Sequence, residues 1–460
     1  MAEIRTLSRA TDGRPKPPVR TIHIGLGNFF RAHSAWYTEH AANADDWGIA
    51  AFSGRGVTNV HEMNSQDGLY TLVKQSGSPT TEVISSIVAV HPGTDLDALR
   101  GYFASADVQI VTSTITEAGY VRNSTGGLDT ENAGVAADIA SLKADPAGGV
   151  VTTAPGKFVA GLLARRAAGA GPITFVPCDN VVDNGPMTKR VVADMVAAVD
   201  PSLQQWVDAN VGYVTTMVDR ITPRPTPADI EAAEQLTGVK DDAVVVTEPF
   251  TEWVLEGEFA GRRPAWETAG ATFVDDIRPF EHRKLWLLNG SHSLMAYAGP
   301  ILGKESVGEA IADATLRRWV EEWWDVAARH LPLPPEQVQA YRDALVERFT
   351  NPAIRHLLAQ IAADGSQKIP IRFVPAIKAD LAQGVLPSGA TRAIAAWTLH
   401  LRGLGVPVND FRADEVLPLG EGTLEESVGK VLAYLGVDDQ SIADEVLRQA
   451  VEIRQLAGLA

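Results

Sequence analysis

Through about residue 275, short β-branched runs alternate with longer stretches of helical apolar spacing, and nothing else in the sequence restricts the fold as strongly. Strands that pair in parallel need a crossover, and a helix is the compact way to make one, so the alternation implies a parallel sheet covered by helices. TIHIGLG, WGIAAFS, VQIVTSTI, ITFVPCD and AVVVTEPF read as strands. GKFVAGLLARRAAG and MTKRVVADMVAAV carry apolar residues three and four apart and read as helices. From RPFEHRKLWLLNG onward helical patterns dominate, including ADATLRRWVEEWWDVAARHL and ESVGKVLAYLGV. The expectation is an α/β domain over residues 1–277 and a mainly α-helical domain over 278–460.

The first strand runs into IHIGLGNFFRAH, residues 22–33. A strand followed by Gly-x-Gly lets the backbone turn sharply and approach a pyrophosphate at the start of the next helix. Gly25 and Gly27 can do this, so a Rossmann-type, dinucleotide-binding α/β domain is one reading of the turn. The third glycine of the usual pattern is replaced by Phe30. That glycine serves helix-to-strand packing, so its loss implies a differently seated helix and leaves the phosphate site intact. A tight turn in an α/β core would use the same two glycines. No acidic residue ends the second strand, where one would bind the ribose hydroxyls of NAD. Arg55 stands there instead, either a solvated loop charge or a cation that admits the 2′-phosphate of NADP.

A formal net charge of −17 opposes a nucleic-acid partner, since such affinity comes from clustered Lys and Arg. No apolar run approaches the roughly 18 to 20 residues of a membrane span, and the basic N-terminus has no apolar region behind it, so a cytoplasmic protein is expected. A single cysteine, Cys178, excludes a disulfide framework and a multi-cysteine zinc site, and no metal is expected. Two motif matches fail on context. YTLVK, residues 70–74, fits a Tyr-x-x-x-Lys pair, but in a strand those residues lie about 13 Å apart. GPILGKES has the wrong glycine spacing for a phosphate loop and Glu305 where Ser or Thr belongs.

The second informative stretch is RPFEHRKLWLLNGSHSLMAYAG, residues 278–299. At about 100° per residue, with Lys284 at zero, Glu281 and His292 fall near 60° to 80° and Asn289 near 140°. Leucines, Trp286 and Met295 surround them, so the helix is expected to be buried. A buried lysine is expensive unless paired or functional. Lys284 is either a core lysine paired with Glu281 or a base, because desolvation lowers a lysine's pKa. His292 alone would suit a core histidine, and Asn289, before Gly290, a helix-ending residue.

Together GLGNFFRAH, STITEAGY, CDNVVDNG, MVDRITP, EPFTEWVLEGEFAGRRPAWE, KLWLLNGSHS and DGSQKIP, in this order, resemble the polyol-specific long-chain dehydrogenases of the mannitol 2-dehydrogenase family. The resemblance runs from about Ile22 to the C-terminal helices, and the family's turn requires no third glycine. It implies a metal-independent, NAD- or NADP-dependent oxidoreductase that interconverts a polyol such as mannitol with its ketose, as a plausible monomer. It further implies Lys284 as catalytic base, Asn180 and Asn289 as hydrogen-bond partners of the reacting oxygen, His292 as substrate holder and Glu281 as gate on the proton's route to water. Gly25, Gly27, Asn28, Phe29, Thr116 and Asp219 would serve the cofactor, and Lys368 the sugar chain.

Two departures concern the substrate. Mannitol-type members carry an arginine eight residues before the DGS-x-K lysine, whereas this chain has Gln360. The string QIAADGSQKIPIR looks more like the hexuronate reductases, and Arg372 within it is either a partner for a substrate carboxylate or a surface arginine. A hexuronate reductase of the fructuronate/mannonate type is therefore the alternative, and a non-catalytic dinucleotide-binding sensor is a third.

Overall fold

The computed structural model describes residues 5–54 and 56–459, so Arg55 lies outside the described residues. The chain divides into two compact units, Met1–Ile277 and Arg278–Ala460.

The first unit is built on a six-stranded sheet: β1 (Val19–Ile24), β2 (Gly48–Phe52), β3 (Ile87–His91), β4 (Ile110–Ser113), β5 (Ile173–Pro177) and β6 (Val211–Tyr213). Their spatial order is β3-β2-β1-β4-β5-β6, every pair is parallel, and this is the doubly wound Rossmann order. The central strands carry apolar residues on both faces because helices cover both. Ile22, Ile24 and Phe52 pack with Phe158 and Val191 of the crossover helices, while Ile49 and Ala51 pack with Phe30 and Met63 on the other side. The crossover helix Ala154–Ala168 starts at a Thr153 cap with Pro155 in its first turn and stops at Gly169, φ +62°.

Four of the five strand readings fall in this sheet. AVVVTEPF does not: Val245–Thr247 pairs in parallel with Tyr70–Lys74, which pairs antiparallel with Thr80–Ile84, as a separate three-stranded sheet. β3 and β6 take the outer positions instead. The rejected Tyr-x-x-x-Lys pair is strand, its Tyr70 hydroxyl donating to the Arg31 carbonyl at 2.6 Å and Lys74 paired to Glu82 at 2.9 Å.

The second unit contains helices and, among the described residues, no strand. Its centre is the helix Ser388–Leu401, buried from Gly389 to Leu401 and packed against Ser291–Ile301, Ala314–Ala328 and Gln440–Leu456. Its apolar residues face several neighbours at once, and its buried Thr391, Arg392 and Thr398 are hydrogen-bonded to Gln449, Glu452 and the Ile394 carbonyl. No helix of the described residues is long and apolar enough to cross a membrane.

Candidate active site

In the Rossmann unit the nucleotide turn begins where β1 ends. Gly25 has φ +114°, and its N–H and that of Leu26 both donate to the Phe52 carbonyl at 3.0 Å. A Cβ on Gly25 would stand 2.3 Å from the Thr114 carbonyl oxygen, so only glycine lets the turn lie against β4. Gly27 caps the short helix Asn28–Ala32. A cavity of about 330 Å³ is lined by Gly25, Leu26, Gly27, Gly54, Gly56, Thr58, Asn59 and Thr114. It opens at the carboxyl ends of β1, β2 and β4, the point where strand order reverses and where doubly wound sheets take their ligands. Four glycines leave backbone facing the space, which suits a pyrophosphate.

Phe30 shows why the third glycine is dispensable. Its ring is fully buried and lies flat on His23 of β1, centroids 3.4 Å apart and planes 5° from parallel. Helix and strand meet through two stacked planar rings where a glycine would have let the backbones touch. Burial holds the His23 pKa down at about 3, so the imidazole is neutral. Thr114 Oγ1 donates to the Gly25 carbonyl at 2.6 Å, so it accepts from His23 Nε2 at 3.1 Å, and Thr112 Oγ1 at 2.9 Å faces Nδ1. Restoring the missing glycine therefore weakens the protein. Phe30→Gly should lower the unfolding free energy by about 3–5 kcal/mol, read by denaturant titration, and an unchanged midpoint would contradict this packing role.

Asn28 and Phe29 are directed elsewhere. Asn28 Oδ1 accepts from Arg31 at 2.6 Å, whose other arm donates to the Ala243 carbonyl at 2.6 Å, and Phe29 stacks on His33 at 5.0 Å. Neither lines the cavity. Thr116 is an exposed residue capping the turn Glu117–Tyr120, two residues past Thr114.

Asn180 is exposed just beyond β5 and follows a buried carboxyl, Asp179, to which the sequence reading assigns no role although it stands in CDNVVDNG. Asp179 accepts from the Tyr120 hydroxyl, the Ile115 N–H and, at 3.1 Å, the Ser113 hydroxyl, while burial pushes its pKa up to about 7. Asn184 completes the brace, donating to the carbonyls of Asp179 at 3.1 Å and Thr216 at 2.9 Å and accepting from the Thr216 N–H at 2.9 Å. The CDNVVDNG segment thus ties the ends of β4 and β5 together below Asn180. Asp219 is buried at the end of the strand Thr215–Asp219, paired in register with Glu252.

In the helical unit, Glu281 is buried on the helix Arg278–Arg283, Lys284 and Asn289 are half-buried, and His292 is buried on Ser291–Ile301. The expected single α-helix is interrupted, since Lys284–Gly290 is π-helical. His292 lies beside Phe349 and His356, ring centroids 5.1 and 5.2 Å away. Lys368, whose pKa burial lowers, donates to the carbonyls of Ile361 and Ala363. The turn before it is crowded: Asp364 has φ +57°, and a Cβ on Gly365 would come within 2.4 Å of Trp397 Nε1. Arg372 is half-buried and bonded to the helical stretch that carries Asn289 and His292. Its Nη1 donates to the Asn289 carbonyl at 2.8 Å and to Ser293 Oγ at 2.7 Å, and burial lowers its pKa to about 10. Among the described residues no group of His, Cys, Asp and Glu is arranged to hold a metal.

A glycine-lined cradle at the switch point of a six-stranded parallel sheet, with a helical unit bearing lysine, amide and imidazole, defines a Rossmann-type nicotinamide-dependent oxidoreductase. Comparison with known proteins makes the class particular. Residues 19–268 match the mannitol dehydrogenase Rossmann domain and residues 276–447 the mannitol dehydrogenase C-terminal domain. The chain belongs to the mannitol dehydrogenase family, oxidoreductases that act on CH–OH groups. It is 35% identical to D-mannonate oxidoreductase of Escherichia coli (strain K12), over 84% of this chain and 80% of that protein. D-arabinitol 4-dehydrogenase of Ralstonia nicotianae is 37% identical, over 80% of this chain and 79% of the relative. The structure of Pseudomonas fluorescens mannitol 2-dehydrogenase in ternary complex with NAD and D-mannitol superposes with a TM-score of 0.79. It is 30% identical and covers 99% of this chain and 96% of that one.

Proposed function

We propose that the protein interconverts a C5 to C6 polyol, mannitol or a close relative, and its ketose, with Lys284 as general base and without a metal. The observation that carries this is the concentration of Glu281, Lys284, Asn289 and His292 on one short, largely buried stretch of helix. A nicotinamide dinucleotide held in the cradle would supply the hydride acceptor for the alcohol carbon, or the hydride donor for the ketone. As the hydride departs, the neutral amine of Lys284 takes the hydroxyl proton, and the Asn289 amide donates to the oxygen on which charge develops. His292 and Lys368 hold other hydroxyls, and Glu281 passes the proton from Lys284 towards water. Asn180 carries the same amide chemistry on the Rossmann unit, with Asp179 and Asn184 setting its backbone.

Both NAD and NADP suit the cradle, because Phe52, Ser53 and Gly54 at the end of β2 present no carboxylate to repel a 2′-phosphate. For the substrate, a hexuronate needs a cation for its carboxylate. The anchoring of Arg372 to Asn289 and Ser293 favours the neutral polyol, while the similarity to a D-mannonate oxidoreductase keeps the hexuronate as the second reading. Nicotinamide absorbance followed against polyols, ketoses and uronates with both cofactors tests this. Oxidation of mannitol or arabinitol and reduction of fructose is the expected result. Much faster reduction of fructuronate or tagaturonate would select the second reading, and no turnover on the whole panel would leave a non-catalytic sensor.

A further inference from the structure

π-helical winding is rare and mostly confined to single turns, so seven residues of it, Lys284–Gly290, need a cause. KLWLL offers none, being rich in residues that favour the α-helix, and the Asn289-Gly290 pair at its end would stop an α-helix and not widen it over seven residues. The cause lies in what touches its carbonyls. From the helix Ala314–Ala328, Trp323 Nε1 donates to the Trp286 carbonyl at 2.8 Å, and Trp324 Nε1 to the Leu287 carbonyl at 3.0 Å and to Ser291 Oγ at 2.7 Å. Ser291 Oγ donates to the same Leu287 carbonyl at 2.6 Å. Arg372 supplies the bond to the Asn289 carbonyl. Three carbonyls of the stretch are thus engaged from outside it, by two wholly buried indoles that must find acceptors and one guanidinium. Gly290 fits the same arrangement: a Cβ there would lie 2.6 Å from Trp323 Nε1.

The winding changes what the helix presents. In α geometry, at about 100° per residue, Asn289 stands about 140° and His292 about 80° from Lys284, which is left at the edge of the polar sector. With hydrogen bonds five residues apart each step across 284–290 falls to roughly 80°, while the two steps on to His292 keep about 100°, which puts Asn289 about 40° to one side of Lys284 and His292 about 40° to the other.

We propose that Trp323, Trp324 and Arg372 are positioning residues that hold 284–290 in π winding and so place Lys284 between Asn289 and His292, a role that rests on the function proposed above. None of the three needs to touch substrate. Proton transfer and oxyanion stabilisation both depend on the register they enforce, and a displacement of about 1 Å can cost about a hundredfold in rate.

The test compares Trp324→Phe, which keeps the ring and loses the donor, with Trp319→Phe, the same change on the same helix. The Trp319 indole N–H is buried and has no hydrogen-bond partner among the described residues, and phenylalanine keeps a ring beneath the Arg392 guanidinium, 4.5 Å from the Trp319 ring, so the change reports packing without the loss of a donated hydrogen bond. Trp324→Phe should lower kcat by about tenfold to a hundredfold, shift the pH profile of kcat, and leave KM and dinucleotide Kd within about threefold. Trp319→Phe should leave the pH profile where it was. Arg372→Met should repeat the Trp324→Phe pattern and serves if that variant fails to fold. Crystal structures of the variants read the winding without reference to activity, with α-helical hydrogen bonding across 284–290 expected. Retention of the π stretch in both, or equal effects of Trp319→Phe and Trp324→Phe on the pH profile, overturns the proposal. A wild-type enzyme inert on the whole substrate panel overturns the function instead.

Discussion

Lys284→Ala is expected to lose between about a hundredfold and ten-thousandfold of kcat, the range that a positioned general base supplies. Dinucleotide affinity should stay within about twofold, because the cradle residues Gly25, Gly27, Gly54, Gly56 and Thr114 all belong to the other unit. In the direction of alcohol oxidation the amine must be deprotonated to work. The wild-type rate should therefore rise with pH until the base is free, and the variant should lose that rising limb. Steady-state rates against pH, with nucleotide binding followed by fluorescence, check both halves. A Lys284→Ala enzyme that oxidises its polyol at the wild-type rate near neutral pH would remove lysine from the mechanism.

How far the sequence discloses such a site depends on where the determining contacts lie. The Rossmann sheet was legible because each strand and crossover carries its own periodicity, and Gly25 because a turn after a strand has local chemistry. AVVVTEPF was misplaced for the complementary reason: an apolar strand states that it is buried, not which neighbour it pairs with. The residues gathered around Lys284 were legible as a cluster, since polar groups among leucines on one helix are conspicuous. Their winding was not. KLWLLNG reads as α, and the groups that complete its carbonyls stand on Trp323, Trp324 and Arg372, dozens of residues later. Asp179 and Asn184 stand within CDNVVDNG, but their role was hidden differently. Their importance comes from burial and from the Tyr120 and Thr216 groups they meet, none of which has a fixed sequence spacing.

The two glycines of the turn should separate cleanly on mutation, because they are glycines for different reasons. At Gly25 the backbone is in a region that L-residues rarely enter, and an added Cβ would meet the Thr114 carbonyl at 2.3 Å and its hydroxyl at 2.9 Å. Thr114 cannot easily yield, being held to Gly25 by its own hydrogen bond and to His23 by another. Gly25→Ala is thus expected to cost about 1–3 kcal/mol of backbone strain, with a comparable amount for overpacking, and to lose dinucleotide affinity by more than about a hundredfold as the turn leaves β4. Gly27 has ordinary extended angles, φ −124° and ψ 178°, and its Cβ would meet nothing nearer than the Gly25 carbonyl at 3.6 Å. Gly27→Ala should therefore melt within about 2 °C of the wild type. It should nevertheless bind NAD and NADP about tenfold or more weakly, because the methyl group occupies space that a close-lying pyrophosphate needs. Thermal unfolding and equilibrium titration of both variants give the comparison. Unchanged affinity in Gly27→Ala would mean that the cavity beside it is not where the pyrophosphate lies, whatever Gly25→Ala does.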